Sequence, residues 1–83
     1  MKIKKNIIVE EVIKLIQKKT AIKIKNINKN DDLYKKEIVD SFDLLDILIK
    51  IEKKFDIKIK VEKENNFKFS INFLTNLIID KLN

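Results

Sequence analysis

The sequence predicts an all-α fold: a small antiparallel bundle of three main helices and one short one, with a long loop between helices one and two. Three observations point there. Apolar residues recur at helical spacing in three separate segments, a cluster of turn formers divides the first two, and the only strand-like stretches are two short ones. With 83 residues the chain has room for one small core, so residues 1–83 are expected to form one domain.

The first helix is read from Asn6 to Lys19. Ile8, Val12, Leu15 and Ile16, with Ile13 beside them, share one face, and Glu10 and Glu11 suit a first turn at the positive end of the dipole. Thr20 to Asp40 loses the helical period. The run "NKNDD" at 28–32 concentrates turn formers, so this stretch reads as a long ordered loop anchored by Leu33 and Ile38. Gly and Pro are both absent, which leaves Asn and Asp to punctuate the elements.

The second helix is read from Ser41 to about Phe55, with Asp40 as N-cap and Asp43 three residues on in a box-like arrangement. Leu44, Ile47, Leu48, Ile51 and Phe55 form its core stripe, and Asp43, Asp46, Lys50, Lys53 and Lys54 take the opposite arc. Phe42 and Ile49 fit neither and need a second partner. A short helical turn is expected around Glu62 to Phe67. The last helix starts with Ser70 as N-cap and carries Ile71, Leu74, Leu77, Ile78 and Leu82, while Phe69 and Phe73 help close the bundle. "AIKIKNI" at 21–27 and "DIKIKVEK" at 56–63 alternate as strands do, so the rival fold is α+β. A lone two-stranded ribbon is marginal, which disfavours it.

Composition removes several function classes. The chain has no Cys and no His, and so no disulfide, thiolate nucleophile, imidazole base or ordinary zinc or haem ligand set. The start "MKIKKNIIVEEV" has the basic lead of a signal peptide, but its apolar run, Ile7 to Val9, ends at Glu10 and Glu11. No run reaches membrane-spanning length, and the expected location is cytoplasmic, without membrane insertion. The net charge of +6 is uneven: residues 1–30 hold nine Lys against two Glu, and residues 31–83 hold ten Lys against eleven acids. Every cation is Lys, whereas bidentate base and phosphate contacts favour Arg, so specific nucleic-acid reading is not expected. Lys, Ile and Asn dominate the chain as an AT-rich coding sequence gives, which accounts for the charge without a polyanion.

Ser41 sits between two aspartates at the opening of an amphipathic helix, in "EIVDSFDLLDILIKIEKKFDIKI". As a nucleophile it has no His to deprotonate it and no Gly-rich elbow around it. As a substrate for another enzyme it fits better. The stretch "DSFDLLDILIKIEKKFDIKI" resembles the serine-bearing helix of acyl and peptidyl carrier proteins, and the order of elements resembles theirs over nearly the whole chain. The likeness takes in helix one, the loop with Leu33, the serine helix, the "EKKFDIKI" exit and the Ser70-capped last helix. The family's usual Gly before the motif and Pro after the serine helix are missing, with Val39 and Lys60 nearby instead.

The resemblance implies a carrier that is not an enzyme. Ser41 would bear a covalent 4′-phosphopantetheine arm derived from coenzyme A, whose thiol holds an acyl or aminoacyl group as a thioester. The implied partners are a phosphopantetheinyl transferase, an acyl- or aminoacyl-loading ligase, and an acceptor transferase or synthase. Asp40 matches the position that engages the transferase and its metal. Phe42 and Ile49 match the apolar docking positions, and Asp43, Asp46 and Glu52 the acidic ones. The form "EIVDSFD" resembles single carriers of specialised pathways, D-alanyl carriers among them, as much as the fatty-acid carrier, and a monomer is expected. Two rival functions stand beside this one. The first is a lysine-rich polyanion-binding module using Lys2, Lys4, Lys5, Lys18, Lys19, Lys23 and Lys25, and the second is a small helical adaptor that is never modified.

Overall fold

The computed structural model describes residues 4–20 and 27–82. Among these residues are three α-helices, α1 (Lys5–Thr20), α2 (Ser41–Phe55) and α3 (Ile71–Leu82), with a 3-10 turn at Val61–Lys63 between the last two. Among the described residues there is no strand, so the helical expectation holds over its α+β rival. Of the two strand-like stretches, residues 21–26 lie outside the described residues. The other leaves α2 without strand pairing and passes into the 3-10 turn.

Each helix forms where an apolar stripe meets a start signal. α1 buries Ile8, Val12 and Ile16, four residues apart, and leaves Ile13 and Leu15 half-buried at the margin. It begins at Lys5, however, and has no acid in its first turn, so Glu10 and Glu11 belong to the second turn. α2 has the predicted bounds. It buries Ile47, Leu48 and Ile51 and keeps Leu44 and Phe55 half-buried. At its far end Asp56 takes the left-handed conformation (φ 53°) and returns its N–H to the Glu52 carbonyl, the job glycine usually performs. The short helical turn expected at 62–67 is instead a 3-10 turn three residues long, starting one residue earlier.

α3 opens as predicted, with Ser70 Oγ accepting the Phe73 N–H at 3.0 Å. It buries Ile71, Leu74, Leu77 and Ile78, and Thr75 is sealed among them with its hydroxyl donating to the Ile71 carbonyl at 2.8 Å. That bond removes the penalty of a buried hydroxyl. Phe69 is fully buried, and Phe73 meets Phe67 edge to face at 5.3 Å.

α1 packs against both other helices. Two cross-helix ion pairs show that α1 and α2 run antiparallel. Glu11, early in α1, meets Lys54, late in α2, at 2.6 Å, and Lys19, near the end of α1, lies 3.5 Å from Asp46. The loop contributes Leu33 and Val39 to the core. Leu33 is the anchor expected, whereas the second is Val39, with Ile38 only half-buried.

Candidate functional site

The loop delivers Ser41 through a knot of backbone hydrogen bonds centred on Leu33. The Leu33 N–H donates to the Phe69 carbonyl at 2.9 Å, and the Leu33 carbonyl accepts from Ile38 N–H at 2.9 Å and Val39 N–H at 3.1 Å. Asp32 Oδ1 accepts from the N–H groups of Tyr34 and Lys35, both at 3.1 Å, and fixes the turn that leads away from it. The chain then reverses at Glu37, whose φ of 60° lies in the left-handed region that non-glycine residues seldom occupy. Val39 plugs into the core, and the next two residues emerge at the surface as Asp40 and Ser41.

At the start of α2, Asp40 Oδ1 accepts the Asp43 N–H at 2.7 Å and its carbonyl accepts the Leu44 N–H at 3.0 Å. Asp40 is thus the N-cap, in extended conformation, and Ser41 is the first helical residue. Ser41 is exposed, and its hydroxyl takes no part in any hydrogen bond among the described residues. The N–H groups of Ser41 and Phe42 point out of the first turn without intrahelical acceptors. A shallow cleft runs beside the hydroxyl, lined by Tyr34, Lys35, Glu37, Val39, Asp40 and Ser41 itself.

The other residues singled out from the sequence divide into free and engaged groups. Phe42 is 80% exposed, not tucked against the loop, and Ile49 is 48% exposed. Between them Leu45 is 54% exposed, a third member that the sequence reading passed over although it lies three residues from Phe42 and four from Ile49. Asp43 is half-buried in the first turn. Asp46 Oδ2 is shared between Lys50 at 3.0 Å and Lys19 at 3.5 Å, and the hydrogen bond from Lys50, reinforced by the charge of Lys19, holds its carboxyl below the ordinary value of 3.8. Glu52 Oε2 accepts the Ile59 N–H at 2.9 Å and so ties the segment after α2 back onto the helix.

These features fit a phosphate ester. The serine oxygen is open to solvent, and two first-turn N–H groups and the helix dipole favour an anion there. The Asp40 carboxylate opposes that anion at short range, and its Oδ1 is engaged in the cap bond from Asp43 N–H. No group of carboxylates positioned to hold a metal ion occurs among the described residues. No helix there is long and apolar enough to cross a membrane.

Searches of curated proteins and of solved structures found no match to the chain. A family model described as "Phosphopantetheine attachment site" matches residues 10–63, from the second turn of α1 through the loop and α2 to the end of the 3-10 turn. The matched segment is more than half of the chain and has Ser41 near its middle. Domains of this kind bind 4′-phosphopantetheine covalently, are carriers and not catalysts, and work with a phosphopantetheinyl transferase and with biosynthetic enzymes. An exposed serine hydroxyl at the mouth of a helix, inside that match and on an all-α bundle, agrees with it, and the chain belongs to the phosphopantetheine-attachment family of carrier proteins.

Proposed function

We propose that Ser41 is the attachment point and that residues 1–83 act as one carrier domain presenting an acyl or aminoacyl group to partner enzymes. The observation that carries this reading is the Ser41 hydroxyl: exposed, without a hydrogen bond among the described residues, and directly after the capping Asp40. The prosthetic arm supplies the thiol that a chain without Cys lacks, and so holds its cargo as a thioester.

On loading, the Ser41 oxygen forms a bond to the phosphorus that carries the pantetheine portion of coenzyme A. The pyrophosphate bond breaks, the adenosine bisphosphate portion leaves, and the serine proton passes to the transferase and then to solvent. Asp40 borders the attacking oxygen and is the residue we assign to engaging the transferase and its metal. The first-turn N–H groups of Ser41 and Phe42 would favour the phosphodiester once it is formed. Phe42, Ile49 and Leu45 supply the apolar contact for partners, and Asp43, with Asp46 and Glu52, the polar surround. We place this carrier in the cytoplasm, as a monomer, served by a loading ligase and an acceptor transferase or synthase.

Intact mass after incubation with coenzyme A, magnesium and a broad-specificity phosphopantetheinyl transferase tests the assignment. One added arm on the wild type and none on Ser41→Ala is the expected result. An arm that persists on Ser41→Ala would move the site elsewhere. No addition by several transferases would favour the unmodified adaptor.

A further inference from the structure

The solvent side of α2 carries an apolar stripe whose flanking charges are not equally available. Phe42, Leu45 and Ile49 are exposed at 80, 54 and 48%, on the side opposite the buried Ile47 and Ile51. At roughly 100° per residue, Phe42, Ile49 and Lys53 lie within about 40° of one another, so Lys53 continues the line of the stripe towards the end of the helix.

Of the acids expected to ring this stripe, Asp43 lies in the first turn, at the far end from Lys53, and its carboxylate has no ion pair among the described residues, whereas the others are engaged inside the chain. Asp46 is held by both Lys50 and Lys19, Glu52 by the Ile59 N–H, and Asp40 by its cap bond. Two of the nearby cations are spent as well, Lys50 on Asp46 and Lys54 on Glu11. Lys53 differs from both: it is exposed and has no ion pair among the described residues. At the Lys53 end of the stripe an approaching surface therefore meets apolar area followed by an unpaired ammonium group, with the Asp46 carboxylate on the same side offset by Lys50 and Lys19. Bringing a second cation against Lys53 would cost like-charge repulsion, whereas a carboxylate would be steered towards it.

We infer that α2 docks onto a protein surface that offers an apolar depression bordered by Asp or Glu opposite Lys53, and not one bordered by lysine or arginine there. The inference rests on α2 being the docking helix of a carrier and adds the charge of the surface it meets.

Titration of the 15N-labelled chain with two phosphopantetheinyl transferases of known structure tests it, one chosen for an acidic and one for a basic rim around its carrier-binding groove. The acidic-rimmed enzyme should bind more tightly, by about tenfold at low salt, with the advantage shrinking as salt is added. Lys53→Glu should reverse the order, Lys53→Arg should keep it, and Phe42→Ala should weaken both complexes. Tighter binding to the basic rim, or dissociation constants that Lys53→Glu leaves unchanged, would overturn the inference. So would a dimer of the chain alone that Phe42→Ala dissolves, since the stripe would then belong to a second copy. Intact mass of the same samples with coenzyme A reads the carrier chemistry separately, so an unloaded wild type would remove that reading while the titration still reports the charge pairing.

Discussion

The backbone of Leu33 donates to the carbonyl of Phe69, 36 positions further along the chain, at 2.9 Å, and both side chains are buried. The segment that presents Ser41 is thereby pinned to the segment that starts α3. Site and core are mechanically one object at this point, because the same Leu33 whose side chain fills the core also receives the N–H groups of Ile38 and Val39.

Leu33→Ala should therefore cost roughly 2–5 kcal/mol, the range for a fully buried leucine, and should also disturb the loop before α2. Urea unfolding gives the first quantity. Amide exchange at Ile38 and Val39, faster than in the wild type under native conditions, gives the second.

Asp40 and Ser41 are neighbours with separable duties. Asp40→Ala removes the cap bond to Asp43 and should lower stability by about 0.5–2 kcal/mol. Ser41→Ala deletes a hydroxyl that takes no hydrogen bond among the described residues, so its unfolding midpoint should stay close to that of the wild type while arm addition is lost. A large loss of stability in Ser41→Ala would contradict the exposed placement.

Much of this was legible from residue spacing, and the exceptions have physical reasons. The bounds of α2 could be read because a strong cap and a long apolar period coincide there. The start of α1 differs from its reading at Asn6 by a single residue, but the placing of the acids differs by a turn. Glu10 and Glu11 looked like first-turn acids, yet the helix begins at Lys5, and Glu11 is placed to meet Lys54 across the bundle. A pair so distant in sequence leaves no local signal. The short turn near residue 62 was read as longer because three residues of 3-10 helix are too few to show a period. Leu45 was passed over for a related reason: it sits at the edge between the core arc and the outer arc, and only packing decides which side an edge leucine joins.

Glu37 occupies the left-handed region at φ 60° with an exposed side chain. That conformation costs an ordinary residue about 1–2 kcal/mol, and glycine brings an entropic cost of about 0.5–1 kcal/mol. Glu37→Gly should thus stabilise the chain by about 0.5–1 kcal/mol, seen as a thermal midpoint a few degrees higher.

The hydrogen bond from Lys54, with the charges of Lys54, Lys14 and Lys18, holds the Glu11 carboxyl below its ordinary value of 4.5. A lowered folded-state value means that the folded protein binds the proton less readily than the unfolded chain. The resulting stabilisation is present above pH 4.5 and is lost as pH falls through the lower, folded value. Urea midpoints of wild type and Glu11→Gln should differ most near neutral pH and converge in acid, and the gap should narrow in high salt because the pair is at the surface.

The cap of α2 has one more consequence. Because the carboxylate of Asp40, and not the hydroxyl after it, closes the first turn, esterifying that hydroxyl breaks no bond on which the helix depends. Adding an arm at Ser41 should therefore leave the free energy of folding nearly untouched, so that the bare and the arm-bearing chain would share one scaffold.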